Sequence, residues 1–191
     1  FHVPIETVTK GSALRAQGKV LELACGYGGS KGAIAAMDRN NDIPEDERKP
    51  LVDKWRAASP NIVRFWWRIG DAAMKAVQNP KQEFKVGKNG ISFYRDQGFL
   101  FMDLPSGRRL AYPRPMIQEG KFGPQVTYEG INQYNRKWER QSTYGPKLVE
   151  NLVQATCRDL LAFGMKCVEE EGYDIVLHVH DEAIVETDMD V

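Results

Sequence analysis

Long apolar runs are missing from this chain, and none approaches the roughly 20 residues that a helix needs to cross a bilayer, so no membrane span is expected. No charged-then-apolar leader opens it either. Cysteine is scarce: Cys25, Cys157 and Cys167 are the only three. An odd number without ligand spacing argues against a disulfide framework or a zinc site, and for free thiols in a reducing compartment. Neither sign of charge dominates, because 26 Lys plus Arg offset 26 Asp plus Glu. Net charge therefore says nothing about a polyanionic partner, although a basic face balanced by acids elsewhere stays possible. Repeats and low-complexity tracts are absent too. The 191 residues fit one large or two small domains and suffice to bury a core. The chain opens on Phe1 rather than Met, and is expected to be a piece of something longer.

Glycine and proline punctuate what is there. Thr9 to Met37 is helical in character but broken by Gly26, Gly28 and Gly29. Pro44 to Ala57 reads as a charged amphipathic helix. Ser59 then Pro60 is a helix start, and Pro80 stops the helix that ends at Asn79. From Gln82 to Tyr112 the pattern changes to short strands separated by Gly87-Lys88-Asn89-Gly90 and Pro105-Ser106-Gly107. Pro113 to Gly123 reads as irregular, and Gln125 to Tyr128 as a further strand. A long helix is expected from Pro146 to Glu170, with Leu148, Leu152, Ala155, Asp159 and Ala162 near helical spacing. The mixture implies an α+β fold with a helical subdomain at its front. Trp55, Trp66 and Trp67 are expected to pack that subdomain's core, ahead of stacking on nucleic-acid bases.

Two segments carry chemistry. Near the end, in Ile175-Val176-Leu177-His178-Val179-His180-Asp181-Glu182-Ala183-Ile184-Val185-Glu186, two apolar runs flank a tight His180-Asp181-Glu182 step, which reads as strand, abrupt turn and strand. Such a hairpin presents Asp181 and Glu182 at its tip, as hard oxygen donors of the kind Mg²⁺ prefers. A plain surface hairpin with acids at its turn is the competing reading. Near the front, Arg15, Lys19, Leu23 and Tyr27 recur every four residues and form one stripe of a helix. Two cations, an apolar contact and an aromatic ring in that order suit a nucleoside triphosphate laid along the helix. A solvated helix without a task is the alternative. Gly28-Gly29-Ser30-Lys31-Gly32 lacks phosphate-loop spacing and is better read as a hinge.

Stripe and hairpin together resemble the family A DNA polymerases, whose fingers helix carries Arg, Lys, an aromatic and Tyr-Gly at four-residue intervals. Their last palm motif is a strand ending in His-Asp-Glu, matched by His180-Asp181-Glu182. Leu104-Pro105-Ser106-Gly107-Arg108-Arg109-Leu110 looks like the family's Gly-Arg-Arg hairpin. The helix carrying Gln154 and Asp159 looks like the palm helix before the last motif. Tyr144-Gly145-Pro146-Lys147-Leu148-Val149-Glu150-Asn151 is most similar to the phage and prophage branch.

The resemblance implies helical fingers on a partial antiparallel-sheet palm. Residues 1–80 would be fingers helices, 81–130 a β-rich connection, and 131–191 the palm helix and acidic hairpin. It implies transfer of a deoxynucleoside monophosphate from a dNTP to a primer 3′ end on a DNA template, in the host cytoplasm. Two Mg²⁺ ions would serve the reaction, with Asp181 and Glu182 as ligands. Arg15 would hold the outer phosphates, and Lys19 would neutralise the triphosphate and protonate the leaving pyrophosphate. Leu23 and Tyr27 would complete the nucleotide site, and Tyr27, His180, Gln154, Arg108 and Arg109 would meet DNA.

The chain departs from that family in three places. No aspartate motif precedes Arg15, Leu23 stands where an aromatic is usual, and Glu150 stands where Asn is common. An upstream polymerase segment or a separate chain is therefore expected to supply the missing aspartate, and the 191 residues alone are expected to be inactive. Two rivals remain: a non-catalytic nucleotide- or DNA-binding module of a split polymerase, and a metal-dependent hydrolase using His178, His180 and Asp181. Only His2 is left as a further histidine for the latter.

Overall fold

The computed structural model describes residues 3–188. After one 3-10 turn at Ile5–Thr7 come four α-helices: α1 (Ala13–Gly26), α2 (Lys31–Met37), α3 (Glu45–Ala58) and α4 (Pro60–Gln78). Seven strands follow as β1 (Phe84–Lys85), β2 (Ser92–Asp96), β3 (Phe99–Asp103), β4 (Arg109–Pro113), β5 (Met116–Gly120), β6 (Gly123–Ile131) and β7 (Trp138–Thr143). The long helix α5 (Gly145–Glu170) and the hairpin β8 (Asp174–Val179) and β9 (Glu182–Glu186) close the chain. All strand pairs are antiparallel, in sheets β1-β2-β3-β4, β5-β6-β7 and β8-β9. No described helix is long and apolar enough to cross a membrane.

Local chemistry explains most boundaries. The Ser12 hydroxyl caps α1 by accepting from the Arg15 amide at 3.3 Å, satisfying one of the orphan donors at the helix start. Asp38 is buried, yet its carboxylate accepts from the amides of Asp42 and Ile43 at 3.0 and 2.9 Å, with Arg48 at 3.7 Å. That satisfaction is what makes a buried acid tolerable. It pins the turn between α2 and α3.

There are two cores. Leu21, Ala24, Cys25, Ile34, Ile43 and Val52 close the small α1–α3 unit. Ile69, Phe93, Leu100, Met102, Leu148 and Leu152 join α4, the first sheet and the front half of α5. Helix α4, grouped by sequence with the front helices, thus shares its core with the strands and α5. Trp55 of α3 stacks on Trp66 of α4 at 5.8 Å between ring centres, linking the units. These two tryptophans pack as expected. Trp67 does not: it is 75% exposed.

One expectation fails and one strand was not foreseen. Residues 113–123, read as irregular, contain β5, and β7 is a strand that the sequence did not announce. Strand β7 reads Trp-Glu-Arg-Gln-Ser-Thr with Thr143 as its buried member, so no apolar alternation marks it. Pairing with β6, from Val126↔Thr143 to Ile131↔Trp138, creates the strand. This ladder also runs across the boundary drawn at residues 130 and 131. The rear half of α5 and the last hairpin leave Leu160, Phe163, Val176, Leu177, Val179 and Ile184 exposed.

Candidate functional site

Helix α1 buries Leu21, Ala24 and Cys25 on one face. Arg15, Lys19, Leu23 and Tyr27 accordingly share the exposed one, with successive members about 6 Å apart along the axis. The end of α1 is held firmly. Arg56 of α3 donates through Nη2 to the Gly29 carbonyl at 3.1 Å, and the Trp55 indole donates to the Glu22 carboxylate at 2.8 Å. Gly28 has φ +76°, and any Cβ there would overlap the Pro146 ring at the start of α5. Glycine is required at 28 for both conformation and close approach. The glycine run ends α1 at Gly26, as expected, and these contacts hold the turn that follows.

A cleft of about 660 Å³ opens where α1, α4 and α5 meet, lined by Leu23, Tyr27, Arg64, Phe65, Arg68, Glu150 and Val153 among others. Leu23 and Tyr27 form its α1 wall. Arg15 and Lys19 lie farther toward the N-terminus of the same exposed face, outside the lining. Sequence reasoning missed Arg64 and Arg68. Their i, i+4 spacing on α4 was a visible signal, but nothing local says that this face meets Tyr27.

Gln154 lies in a second cleft of about 370 Å³, with Leu110, Tyr112, Tyr128 and Asn151. The Asn151 amide donates to the Tyr112 hydroxyl at 3.1 Å. Burial pushes the Tyr112 phenol up to about 12, against the opposing effect of that hydrogen bond. Glu150 pairs with Lys147 at 2.9 Å.

The paired arginines are tethered to their own chain. Arg108 Nε lies 2.8 Å from an Asp159 oxygen, its Nη2 donates to the Ala155 carbonyl at 3.1 Å, and the Ser106 hydroxyl donates to Asp159 at 2.7 Å. The Ser106 hydrogen bond and then Arg108 hold the Asp159 carboxyl below its usual value. Arg109 sits 3.5 Å from Asp103 and over the Tyr94 and Phe101 rings. Both arginine side chains remain about half exposed, at 44% and 55%.

At the closing hairpin Val179 pairs with Glu182, leaving His180 and Asp181 as a two-residue turn with His180 at φ +54°. The expected strand, turn and strand are there, with Asp181 and Glu182 exposed. Packing of β8 on α5 ties the hairpin to the rest. The two carboxylates are hard donors that fit Mg²⁺. Among the described residues no group of three or more His, Cys, Asp or Glu converges as a metal site, so the pair offers part of a coordination shell. His178 lies opposite Ala183 in the ladder, and His2 lies outside the described residues.

Against this geometry, one comparison is decisive. The chain is 48% identical over 189 residues to the DNA polymerase of Bacillus phage SP02. It is related to a phage DNA polymerase. The match takes in 97% of this chain and 29% of the phage enzyme, so the chain spans under a third of that polymerase's length. No family model matches the chain. No solved structure matches it either. The expectation of a phage-type DNA polymerase relative is borne out by this similarity.

Proposed function

We propose that this chain is the fingers and part of the palm of a family A DNA-directed DNA polymerase, which adds dNMP from dNTP to a primer 3′ end on a DNA template. Similarity to a phage DNA polymerase along nearly all of the chain carries the reading. The exposed stripe on α1 supports the nucleotide site. Arg15 and Lys19 offer two cations in line for a tetra-anionic triphosphate, and Leu23 and Tyr27 offer apolar and aromatic surface at the cleft for sugar and base. A positioned Lys19 ammonium can also give its proton to the departing pyrophosphate.

Asp181 and Glu182 are the residues that would hold Mg²⁺, whose role when bound is to stabilise the charge on the attacking and leaving oxygens. His180 beside them would steady the primer end, and Gln154, in its half-open cleft, would read the minor groove, where acceptors are alike for every correct pair. Arg108 and Arg109 keep exposed N–H groups for phosphate while their intramolecular partners fix their direction. One hairpin's acids do not make a two-metal site, so the reading assigns the remaining aspartate to another segment of the parent protein or a separate chain.

The test is primer extension by a polymerase containing this segment. Asp181→Asn should cut incorporation by orders of magnitude while leaving primer–template affinity nearly unchanged, with Glu182→Gln milder. Near-normal turnover in Asp181→Asn would remove the hairpin from the reaction.

A further inference from the structure

Helix α4 carries a feature that the nucleotide site does not use. Trp67 is 75% exposed, although Trp66 beside it is buried and stacked. Arg64 precedes Trp67 by one helical turn and Arg68 follows directly, so at 100° per residue the three side chains span about 100° of one outer face. Neither arginine has an ion-pair or hydrogen-bond partner among the described residues. Both line the cleft that Leu23 and Tyr27 wall on the other side. The nearby acids are engaged: Glu22 with the Trp55 indole, Glu150 with Lys147, and Asp71 with Lys75 at 2.8 Å.

We infer that Arg64, Trp67 and Arg68 form a docking track for unpaired DNA, leading a single strand over α4 into the cleft beside Tyr27. The chemistry selects that partner. Free guanidiniums bind phosphate without regard to sequence, while an exposed indole offers its face to an unstacked base. A base inside a duplex has no free face to give. The apolar cleft wall of Leu23, Phe65 and Val153 is likewise suited to a ring rather than to a phosphate. The inference rests on the polymerase reading for the identity of the strand as template, but the surface itself is tested separately.

The 191-residue chain is titrated into a fluorescein-labelled oligodeoxythymidine of about 12 nucleotides and, in parallel, a blunt duplex of equal length. The single strand should bind more tightly than the duplex. Trp67→Ala should weaken it by about 5- to 150-fold, the range for loss of one stacked base. Trp67→Phe should keep most of the affinity while losing the quenching of tryptophan emission on binding. Arg64→Ala with Arg68→Ala should reduce the slope of log affinity against log salt by about 1.4, corresponding to two phosphate contacts. Because all three side chains are exposed, thermal melting should be unchanged in each variant.

Undetectable single-strand binding, preference for duplex, or unaltered affinity in Trp67→Ala would overturn the inference. A parallel dNTP titration isolates the polymerase reading. Arg15→Ala with Lys19→Ala should abolish triphosphate binding and leave oligonucleotide binding intact. Triphosphate binding unaffected by that pair would sink the nucleotide site, with the α4 track still judged on the oligonucleotide alone.

Discussion

Gly145→Ala tests how the cleft is held open. Helices α4 and α5 cross backbone to backbone at Gly70 and Gly145: a Cβ on Gly70 would lie 3.3 Å from the Gly145 Cα. A methyl on residue 145 would overlap the Trp66 carbonyl oxygen and lie 2.9 Å from its carbon, inside the 3.0 Å that Cβ contacts essentially never breach. Nothing flexible can give way, because the obstacle is helical backbone. The helices must separate, loosening the main core to which α4 contributes Ile69 and Ala73 and α5 contributes Leu148 and Leu152.

Overpacking of this kind costs about 1–3 kcal/mol. At roughly 2–4 °C per kcal/mol for a chain of this size, Tm should fall by about 2–12 °C. Gly164→Ala is the internal control, since that glycine lies on the same helix with nothing within 4 Å of a new Cβ. It should stabilise by about 0.5–1 kcal/mol through helix propensity. Both variants are followed by circular dichroism on heating. If Gly145→Ala melts at or above the wild type, or shifts in the same direction as Gly164→Ala, the close crossing is not a constraint on this fold.

Other outcomes follow from single contacts. Tyr112 is buried and its folded pKa of about 12 lies above its ordinary 10.0, so its contribution is fully present below pH 10 and lost as pH rises through 12; a two-unit shift makes that about 3 kcal/mol. Denaturant melts of the wild type should lose about that much more than Tyr112→Phe between those pH values, and parallel curves would contradict the burial argument. Asp159 has the opposite sign: its lowered carboxyl contributes above the ordinary carboxyl pKa and loses that contribution as pH falls through the folded value. Asp159→Asn should therefore flatten the acid limb of the stability profile, whereas an unchanged limb would show that the Ser106–Asp159–Arg108 link has no stabilising role. At saturating dNTP in single-turnover assays of the complete polymerase, Lys19→Ala should slow the chemical step by about 10²–10⁴-fold, with Arg15→Ala affecting mainly affinity; equal losses would argue against an acid role for Lys19. The 191 residues alone should not extend a primer with Mg²⁺ and all four dNTPs, and addition of a segment carrying an aspartate strand should restore extension; robust template-dependent synthesis by the chain itself would show that the hairpin acids suffice.

Periodicity and punctuation were readable from residue order because they act over a few neighbours. The four-residue spacing of Arg15, Lys19, Leu23 and Tyr27 puts them on one face of any helix, and Gly26, Gly28 and Gly29 end that helix wherever it packs. Ser59-Pro60 starts α4, and the apolar runs around His180-Asp181 make a hairpin with Asp181 in its turn and Glu182 beside it. What residue order could not express depends on partners distant in the chain. Strand β7 exists because β6 offers it hydrogen bonds, not because its polar residues favour extension. Arg108 is oriented by Asp159, 51 residues away. Trp66 and Trp67 are adjacent and chemically identical, yet one is core and the other surface, because only the crossing of α4 with the sheet and α5 decides which side of the helix is covered. That same crossing, permitted by two glycines, brings Arg64 and Arg68 to face Leu23 and Tyr27 across one cleft.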